Sequence, residues 1–185
     1  EKGKSVMTFK KLVLIGVESS GKTTLAKALA KKLQSTYVPE YARMYLEAHG
    51  LSYQQEDLLT IAKGQVELIK EACNKEQQWL VCDTDLLVIK VWSEQVFGSC
   101  DAWIEEQIKN EPTDYYILCA PDIDWEYDPQ RTLPNLEDRL ALHRHYKSLL
   151  QQLHYNFIEV NGALSNRLQQ VIAALSSGEE LCSLF

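Results

Sequence analysis

Short apolar runs alternate along the chain with longer stretches in which apolar residues recur every three or four positions. The short runs are rich in β-branched and aromatic residues, a composition that favours β-strands. They occupy residues 11–15, 35–40, 79–85, 115–121 and 156–160. The pattern therefore predicts five strands, the third of which ends in two carboxylates.

The longer stretches predict helices, because their apolar residues fall on one helical face. Leu25, Leu29 and Leu33 show this spacing in the first of them. Helices are predicted over residues 22–33, 41–49, 54–75, 86–97, 101–109, 136–153 and 163–175. A polar segment with prolines, residues 122–135, follows the fourth strand. Strands that alternate with helices predict a parallel sheet with helices on both faces.

Composition and charge exclude several classes of protein. A chain of 185 residues suits one domain, predicted over residues 7–185, whereas residues 1–6 precede Met7 and are interpreted as a cloning remnant or a disordered N terminus. The formal net charge of −7 disfavours nucleic-acid binding, and no apolar run is long enough to span a membrane. The five cysteines show no C-x-x-C spacing, which predicts reduced thiols and a cytoplasmic protein. No pattern specifies an oligomeric state.

Residues 16–23, Gly-Val-Glu-Ser-Ser-Gly-Lys-Thr, match the phosphate-loop pattern G-x-x-x-x-G-K-[ST] between a predicted strand and helix. Glycines allow backbone N–H groups to surround phosphate oxygens, and the helix N terminus favours anions. Lys22 is expected at the β/γ-phosphates and Thr23 at Mg²⁺. The predicted ATP-binding residues are Gly16, Glu18, Ser19, Ser20, Gly21, Lys22, Thr23 and Thr24. The predicted fold is thus a P-loop NTPase three-layer sandwich with a five-stranded parallel sheet and a short lid over about residues 122–135.

Asp83 and Asp85 end the third predicted strand, at the edge of the sheet where the phosphate loop also lies. A carboxylate at this place can hold Mg²⁺ directly or through water. The alternative is that one of the two caps the following helix, a common use of Asp. Asp83 is the better metal candidate, together with Thr23, and Asp85 the better cap.

Glu40-Tyr41-Ala42-Arg43 follows the second predicted strand. Glu40 is placed to orient or deprotonate an attacking hydroxyl, and Arg43 to bind anionic oxygen or to pair with Glu40. The alternative is a carboxylate favoured by the helix dipole beside a solvated arginine. The sequence leaves both interpretations open.

The polar segment 122–135 lies where phosphate-transfer enzymes carry a closing lid. Arg131 within it and Arg139 on the next helix can neutralise charge that develops during phosphoryl transfer. An ordinary surface loop with Trp125 packed on the body of the protein is the alternative.

The ordered motifs G-x-E-S-S-G-K-T, E-Y-x-R, D-T-D and W-x-x-D-x-x-R, from residue 12 to about 162, resemble the ribosylnicotinamide kinase domain of the NadR family. The resemblance implies an ATP- and Mg²⁺-dependent kinase that phosphorylates the 5′-hydroxyl of nicotinamide riboside for NAD synthesis. It implies the catalytic set Lys22, Glu40, Asp83, Arg131 and Arg139, in which Glu40 and Asp83 could exchange roles. It implies the acceptor-binding set Glu40, Tyr41, Arg43, Gln65, Asp85, Trp125 and Asp128.

One position departs from the family pattern. NadR-type domains commonly place a tryptophan just before the glutamate of E-Y-x-R, where its ring suits stacking on a pyridinium, but this chain has Pro39. Trp125, Tyr41 and Tyr45 are the candidate replacement rings. Kinases of another nucleoside or of a nucleoside monophosphate, and a non-catalytic ATP-binding adaptor, are the alternative functions.

Overall fold

The computed structural model describes residues 9–73, 77–111 and 113–176. Five parallel strands form one sheet in the order β2-β3-β1-β4-β5. The strands are β1 Lys10–Gly16, β2 Thr36–Val38, β3 Trp79–Asp83, β4 Tyr115–Cys119 and β5 Phe157–Val160. The strand β1 lies in the centre of the sheet. Ligands of such sheets usually bind in the crevice outside the carboxyl ends of the strands, so the residues that follow β1 lie at this position.

Seven helices connect or follow these strands in the described part of the chain. They are α1 Lys22–Lys32, α2 Tyr41–His49, α3 Gln55–Ala72, α4 Leu86–Phe97, α5 Ala102–Asn110, α6 Leu136–Gln152 and α7 Leu164–Ser176. The helix α1 buries Leu25, Ala26, Leu29 and Ala30 against one face of the sheet, where Val171 of α7 joins the same core cluster. The opposite face is covered by α4 and α6 through Leu87, Val91, Tyr146 and Leu150.

The central strand is buried on both faces, which explains why its sequence is a continuous apolar run without alternation. A further cluster packs α2, α3, α4 and α5 together beside the sheet through residues such as Ala42, Leu58 and Ile104. Ala42 lies in the first turn of α2, so the packing of this cluster fixes the end of the helix that begins next to Glu40.

The predicted three-layer fold with a five-stranded parallel sheet is confirmed, and the differences concern boundaries. The second strand is only Thr36–Val38, because Pro39 cannot donate to a ladder and Glu40 takes the N-cap position of α2. The third predicted strand ends at Asp83, since Asp85 caps α4. The prediction for residues 1–6 lies outside the described residues, and that of a single domain stays a prediction. None of the described helices is both long and apolar enough to cross a bilayer.

Candidate active site

The phosphate loop joins β1 to α1 and is shaped by two glycines. Gly16 has φ 149°, and a Cβ there would lie 2.8 Å from the carbonyl oxygen of Cys119. Gly21 has φ 77° and is the N-cap residue of α1. Inside the loop, Ser20 Oγ and Lys22 Nζ both donate hydrogen bonds of 2.7 Å to the carbonyl oxygen of Val17. The backbone is thus held in the curved form that exposes N–H groups to an anion.

Thr23 and Asp83 meet beside this loop. Thr23 Oγ1 donates to Asp83 Oδ2 at 2.5 Å, and Tyr37 OH donates to the same oxygen at 3.3 Å. The other carboxylate oxygen, Asp83 Oδ1, is buried without a hydrogen-bond partner among the described residues. A hydroxyl beside an unsatisfied carboxylate oxygen fits Mg²⁺, which takes few protein ligands and completes its shell with phosphate and water. No group of three His, Cys, Asp or Glu that could hold a metal ion occurs among the described residues.

Asp85 faces a different direction from Asp83, because the intervening Thr84 adopts φ 71°. Asp85 accepts hydrogen bonds from Leu87 N at 2.9 Å, Thr113 Oγ1 at 3.0 Å and Tyr116 OH at 2.7 Å, all in buried surroundings. Both of its oxygens are therefore used to cap α4 and to tie it to β4. Its predicted role in acceptor binding is wrong, and the capping alternative describes it.

Glu40 is half-buried at the N terminus of α2 and lines the cavity that the phosphate loop opens onto. Burial raises the pKa of its carboxyl; Lys22 opposes this shift, Asp83 reinforces it and Arg43 opposes it. A carboxylate with a raised pKa next to the loop lysine has the properties of a general base on the acceptor side.

Gln65 does not line this cavity, although the family resemblance implied it. Its side chain is 1% exposed, accepts a hydrogen bond from Tyr41 N at 2.8 Å and donates one to the carbonyl oxygen of Pro39 at 3.2 Å. The two bonded residues flank Glu40. Gln65 therefore fixes the backbone on both sides of the candidate base, and its predicted place in acceptor binding is corrected.

The cavity has a volume of about 360 Å³ and is lined by two chemically different sets of residues. The polar set includes the phosphate loop with Glu40, Arg43 and Arg131. The apolar and aromatic set is Leu46, Leu51, Tyr53, Val88, Trp92, Leu142 and Tyr146. Such a combination is typical of a small-molecule site, in which apolar walls hold the ligand and a few polar groups orient it.

Trp92, Tyr53 and Tyr146 are the aromatic residues of the cavity that sequence reasoning missed. Trp92 Nε1 donates to Tyr53 OH at 2.9 Å, and the two rings meet edge to face with centroids 4.9 Å apart. The only sequence signal was a tryptophan within the nearly all-apolar α4, directly after the Asp83 strand. Helical pattern alone does not distinguish a core ring from one that lines a cavity.

The three rings predicted to replace the family tryptophan have other partners. Tyr41 packs on Gly64, where a Cβ would lie 2.2 Å from Tyr41 Cε1. Tyr45 OH donates to Asp57 Oδ1 at 2.6 Å, and its ring stacks on His49. Trp125 Nε1 donates to Glu18 Oε1 at 3.2 Å. None of the three lines the cavity, so their predicted contact with the acceptor ring is not supported.

The lid segment, residues 122–135, lies against the phosphate loop and against α2. Glu18, predicted to bind ATP, directs its carboxylate to this segment instead of to the loop interior. Arg43 Nη1 pairs with Asp128 Oδ2 at 3.1 Å, which replaces both the predicted contact of Asp128 with the acceptor and the Arg43–Glu40 pair. Arg43 nevertheless lines the cavity.

The two predicted lid arginines have different environments. Arg131 lines the cavity, and its Nη1 donates to the carbonyl oxygen of Glu126 at 2.6 Å. Arg139 is 5% exposed in the first turn of α6, and neither its Nε nor its Nη1 has a hydrogen-bond partner in the described chain. Arg139 does not line the cavity, so of the two predicted lid arginines only Arg131 lies where the predicted catalytic role requires it.

Arg167 of α7 is a further residue that the sequence did not single out. Its guanidinium is 1% exposed and donates to the carbonyl oxygens of Ser20 at 2.6 Å, Gly162 at 2.8 Å and Ala120 at 3.2 Å. It also pairs with Asp122. One buried cation thus connects the phosphate loop with the ends of β4 and β5.

Comparisons with known proteins agree with this fold. A family model described as an AAA domain matches residues 11–167. The trifunctional NAD biosynthesis/regulator protein NadR of Salmonella typhimurium strain LT2 is 27% identical over 156 residues, 82% of this chain and 38% of that protein. NadR of Escherichia coli strain K12 is 26% identical over 153 residues, 80% of this chain and 37% of that protein. The chain therefore spans somewhat over a third of the length of these relatives.

Solved structures show the same fold. A NadR protein in complex with NR has a TM-score of 0.69 at 21% identity and covers 92% of this chain, which covers 51% of that one. Thymidylate kinase from Candida albicans has a TM-score of 0.66 at 12% identity, with 94% of both chains covered. The resemblance to NadR is confirmed by these matches. With its phosphate loop inside the matched residues, the chain belongs to the AAA-domain family of P-loop proteins and is a homologue of NadR.

Proposed function

We propose that this chain, as one kinase domain over residues 7–185, transfers the γ-phosphoryl group of ATP to the 5′-hydroxyl of a nucleoside, with nicotinamide riboside as the favoured acceptor. One observation carries the proposal: the phosphate loop, Glu40 and an aromatic wall all line the same cavity. A purely nucleotide-binding adaptor has no need of apolar and aromatic residues that line the same cavity as the phosphate loop. The free thiols Cys82 and Cys119 are buried, in keeping with a cytoplasmic protein.

The reacting groups follow from this arrangement. The acceptor oxygen attacks the γ-phosphorus, the bond from that phosphorus to the β,γ-bridging oxygen breaks, and ADP leaves with the electron pair. The hydroxyl proton passes to Glu40, because burial raises the pKa of this carboxyl and makes it a stronger proton acceptor than an exposed carboxylate. Lys22 and Arg131 stabilise the negative charge on the transferred group.

Thr23 and Asp83 are the residues that would hold Mg²⁺. Bound there, the ion would neutralise charge on the β- and γ-phosphate oxygens. Asp83 does not line the cavity, whereas Glu40 does. This difference supports Glu40 as the base and Asp83 as the carboxylate on the metal side.

The preference for nicotinamide riboside is supported by the homology to NadR and by the chemistry of the cavity. Its pyridinium ring is planar and positively charged, and a cation is attracted to the face of Trp or Tyr. Trp92, Tyr53 and Tyr146 provide such rings. Leu46, Leu51, Val88 and Leu142 line the same cavity, so the pyridinium ring would be recognised by stacking and apolar contact.

The test is ADP release with Mg-ATP against a panel of nicotinamide riboside, nicotinic acid riboside, adenosine, thymidine and thymidine monophosphate. We expect turnover with nicotinamide riboside, and its loss in Lys22→Ala, which removes the phosphate-bound cation. Preference for the monophosphate would assign Arg43 to an acceptor phosphate and replace the proposed acceptor. An equal ADP background with every compound would contradict acceptor phosphorylation altogether.

A further inference from the structure

Glu18 places a negative charge in the phosphate loop, where it would repel a bound triphosphate if it faced the loop interior. In the structure, the Glu18 carboxylate accepts hydrogen bonds from another segment of the chain. Glu18 Oε2 accepts a hydrogen bond from Thr132 N at 2.8 Å, and Glu18 Oε1 accepts from Leu133 N and from Trp125 Nε1. All of these donors belong to the lid segment.

Ser19 adds contacts at the same place. Its Oγ donates to the carbonyl oxygen of Asp124 at 3.2 Å and accepts from Glu126 N at 3.1 Å. Ser19 has φ 55°, a left-handed conformation that a non-glycine residue adopts only when its surroundings impose it. Two parts of the lid segment, residues 124–126 and residues 132–133, are thus hydrogen-bonded to residues 18–19 of the phosphate loop.

Arg131 lies between these attachment points. Thr132, which directly follows it, is bonded to Glu18, and Arg131 Nη1 donates to the carbonyl oxygen of Glu126 at 2.6 Å and to Ser19 Oγ at 3.4 Å. The guanidinium is therefore held beside the phosphate loop by the chain on either side of it. A displacement of about 1 Å in such a group is enough to lower a rate substantially.

We infer that Glu18 is a positioning residue that attaches the lid segment to the phosphate loop and so holds Arg131 against the transferred phosphoryl group. The inference rests on the proposed function for the role of Arg131, but the attachment itself is a property of the folded protein. On this basis Glu18 affects phosphoryl transfer only through Arg131. The family signature inside the loop thereby acquires a physical role distinct from phosphate binding.

The experiment is a double-mutant cycle with Glu18→Gln and Arg131→Ala. An amide cannot accept from all three donors, so Glu18→Gln should lower kcat by about 10- to 100-fold while changing KM for ATP by less than about threefold. In the Arg131→Ala background, Glu18→Gln should lower kcat by less than about threefold. Glu67→Gln is the matched control: it removes the same charge from a side chain that is 65% exposed on α3, and should leave kcat unchanged.

A spectroscopic measurement completes the test. Glu18→Gln should increase acrylamide quenching of Trp125 fluorescence, obtained as the difference between proteins with Trp125 and with Trp125→Phe, in the free protein and in the AMP-PNP complex. Unchanged quenching, or additive losses of kcat in the cycle, would overturn the inference.

Two further outcomes are also informative. If the wild-type protein phosphorylates no acceptor, the proposed function fails. The role of Glu18 is then tested by the quenching of Trp125 and by the same double-mutant cycle, with AMP-PNP affinity measured in place of kcat. Glu18→Gln should weaken AMP-PNP binding only when Arg131 is present. If Glu18→Gln does not fold, Trp125→Phe is the second variant, because it removes the hydrogen bond from Trp125 Nε1 to Glu18. It should lower kcat by a smaller factor than Glu18→Gln, and only when Arg131 is present. An equal loss of kcat in the Arg131→Ala background would contradict the inference.

Discussion

Gln65 accepts a hydrogen bond from the backbone N–H of Tyr41 at 2.8 Å, deep between α2 and α3. Because its amide nitrogen also donates to the carbonyl oxygen of Pro39, the side chain holds both neighbours of Glu40. A buried glutamine thus connects the helical cluster beside the sheet to the candidate base.

Gln65→Leu should therefore impair chemistry more than nucleotide binding. Loss of both bonds leaves buried backbone groups unpaired, which costs about 1–3 kcal/mol of the free energy of unfolding. The displaced Glu40 should lower kcat by about 100-fold. Titration with AMP-PNP should show ATP-site affinity close to wild type. The control is Gln151→Leu on the exposed side of α6; comparable kcat losses in both variants would contradict a specific role of Gln65.

Glu40→Gln should lower kcat by about 10²- to 10⁴-fold, the range for loss of a general base. Burial raises the pKa of Glu40, so wild-type kcat should increase with pH as this carboxyl ionises, and the variant should lack that increase. An unaltered pH profile in the variant would remove Glu40 from the role of base.

Glu40→Gln should lower kcat but should increase the stability of the folded protein at neutral pH. The folded state binds the Glu40 proton more tightly than the unfolded state, so stability is lost as the pH rises from about 4, near the ordinary pKa of Glu, through the raised value. Glu40→Gln should therefore melt at a higher temperature than wild type at pH 7–8. The two melting temperatures should converge near pH 4. A variant that is less stable at neutral pH would show that the ionised carboxylate has stabilising partners.

Asp83→Asn should weaken the contribution of Mg²⁺ to nucleotide binding. An amide is a poorer Mg²⁺ ligand than a carboxylate, and changes near a metal site typically cost about 10- to 100-fold in metal affinity or activity. Calorimetry with AMP-PNP, with and without Mg²⁺, measures the effect. Affinity without Mg²⁺ should change little, and an equal loss under both conditions would indicate damage to the loop instead.

Trp92→Leu should raise KM for the acceptor by about tenfold, since stacking of a base on an aromatic ring contributes about 1–3 kcal/mol. KM for ATP should remain near wild type. Trp103→Leu is a suitable control, because Trp103 packs in the α2–α5 cluster and does not line the cavity. If both variants raise the acceptor KM equally, recognition does not depend on the Trp92 ring.

Arg167→Met should destabilise the fold by about 3 kcal/mol, because it leaves buried carbonyl oxygens and Asp122 without their cation. Denaturant unfolding gives this value. Weaker AMP-PNP binding should accompany the loss, since Ser20 of the phosphate loop is one of its partners. Arg144→Met, on the exposed side of α6, should change neither quantity.

Local pattern was sufficient for the sheet, the seven helices and the phosphate loop. Buried parallel strands are continuous apolar runs, amphipathic helices repeat every three to four residues, and the loop motif is contiguous in the chain. Short contiguous segments of the sequence are therefore sufficient to predict the fold and the family resemblance. Glu40 and Arg131 were also predicted from the sequence, because both lie next to recognisable motifs, and both line the cavity.

The directions of side chains were decided only by tertiary structure. Asp83 and Asp85 are two residues apart, but φ 71° at Thr84 turns one toward the phosphate loop and the other into the cap of α4. Gln65, Glu18 and Arg139 have residue types suited to ligand binding, yet in the structure Gln65 and Glu18 bond to other parts of the chain and Arg139 is buried outside the cavity. Sequence pattern fixes which face of an element is buried. Which buried polar group faces a cavity depends on contacts between segments far apart in the chain.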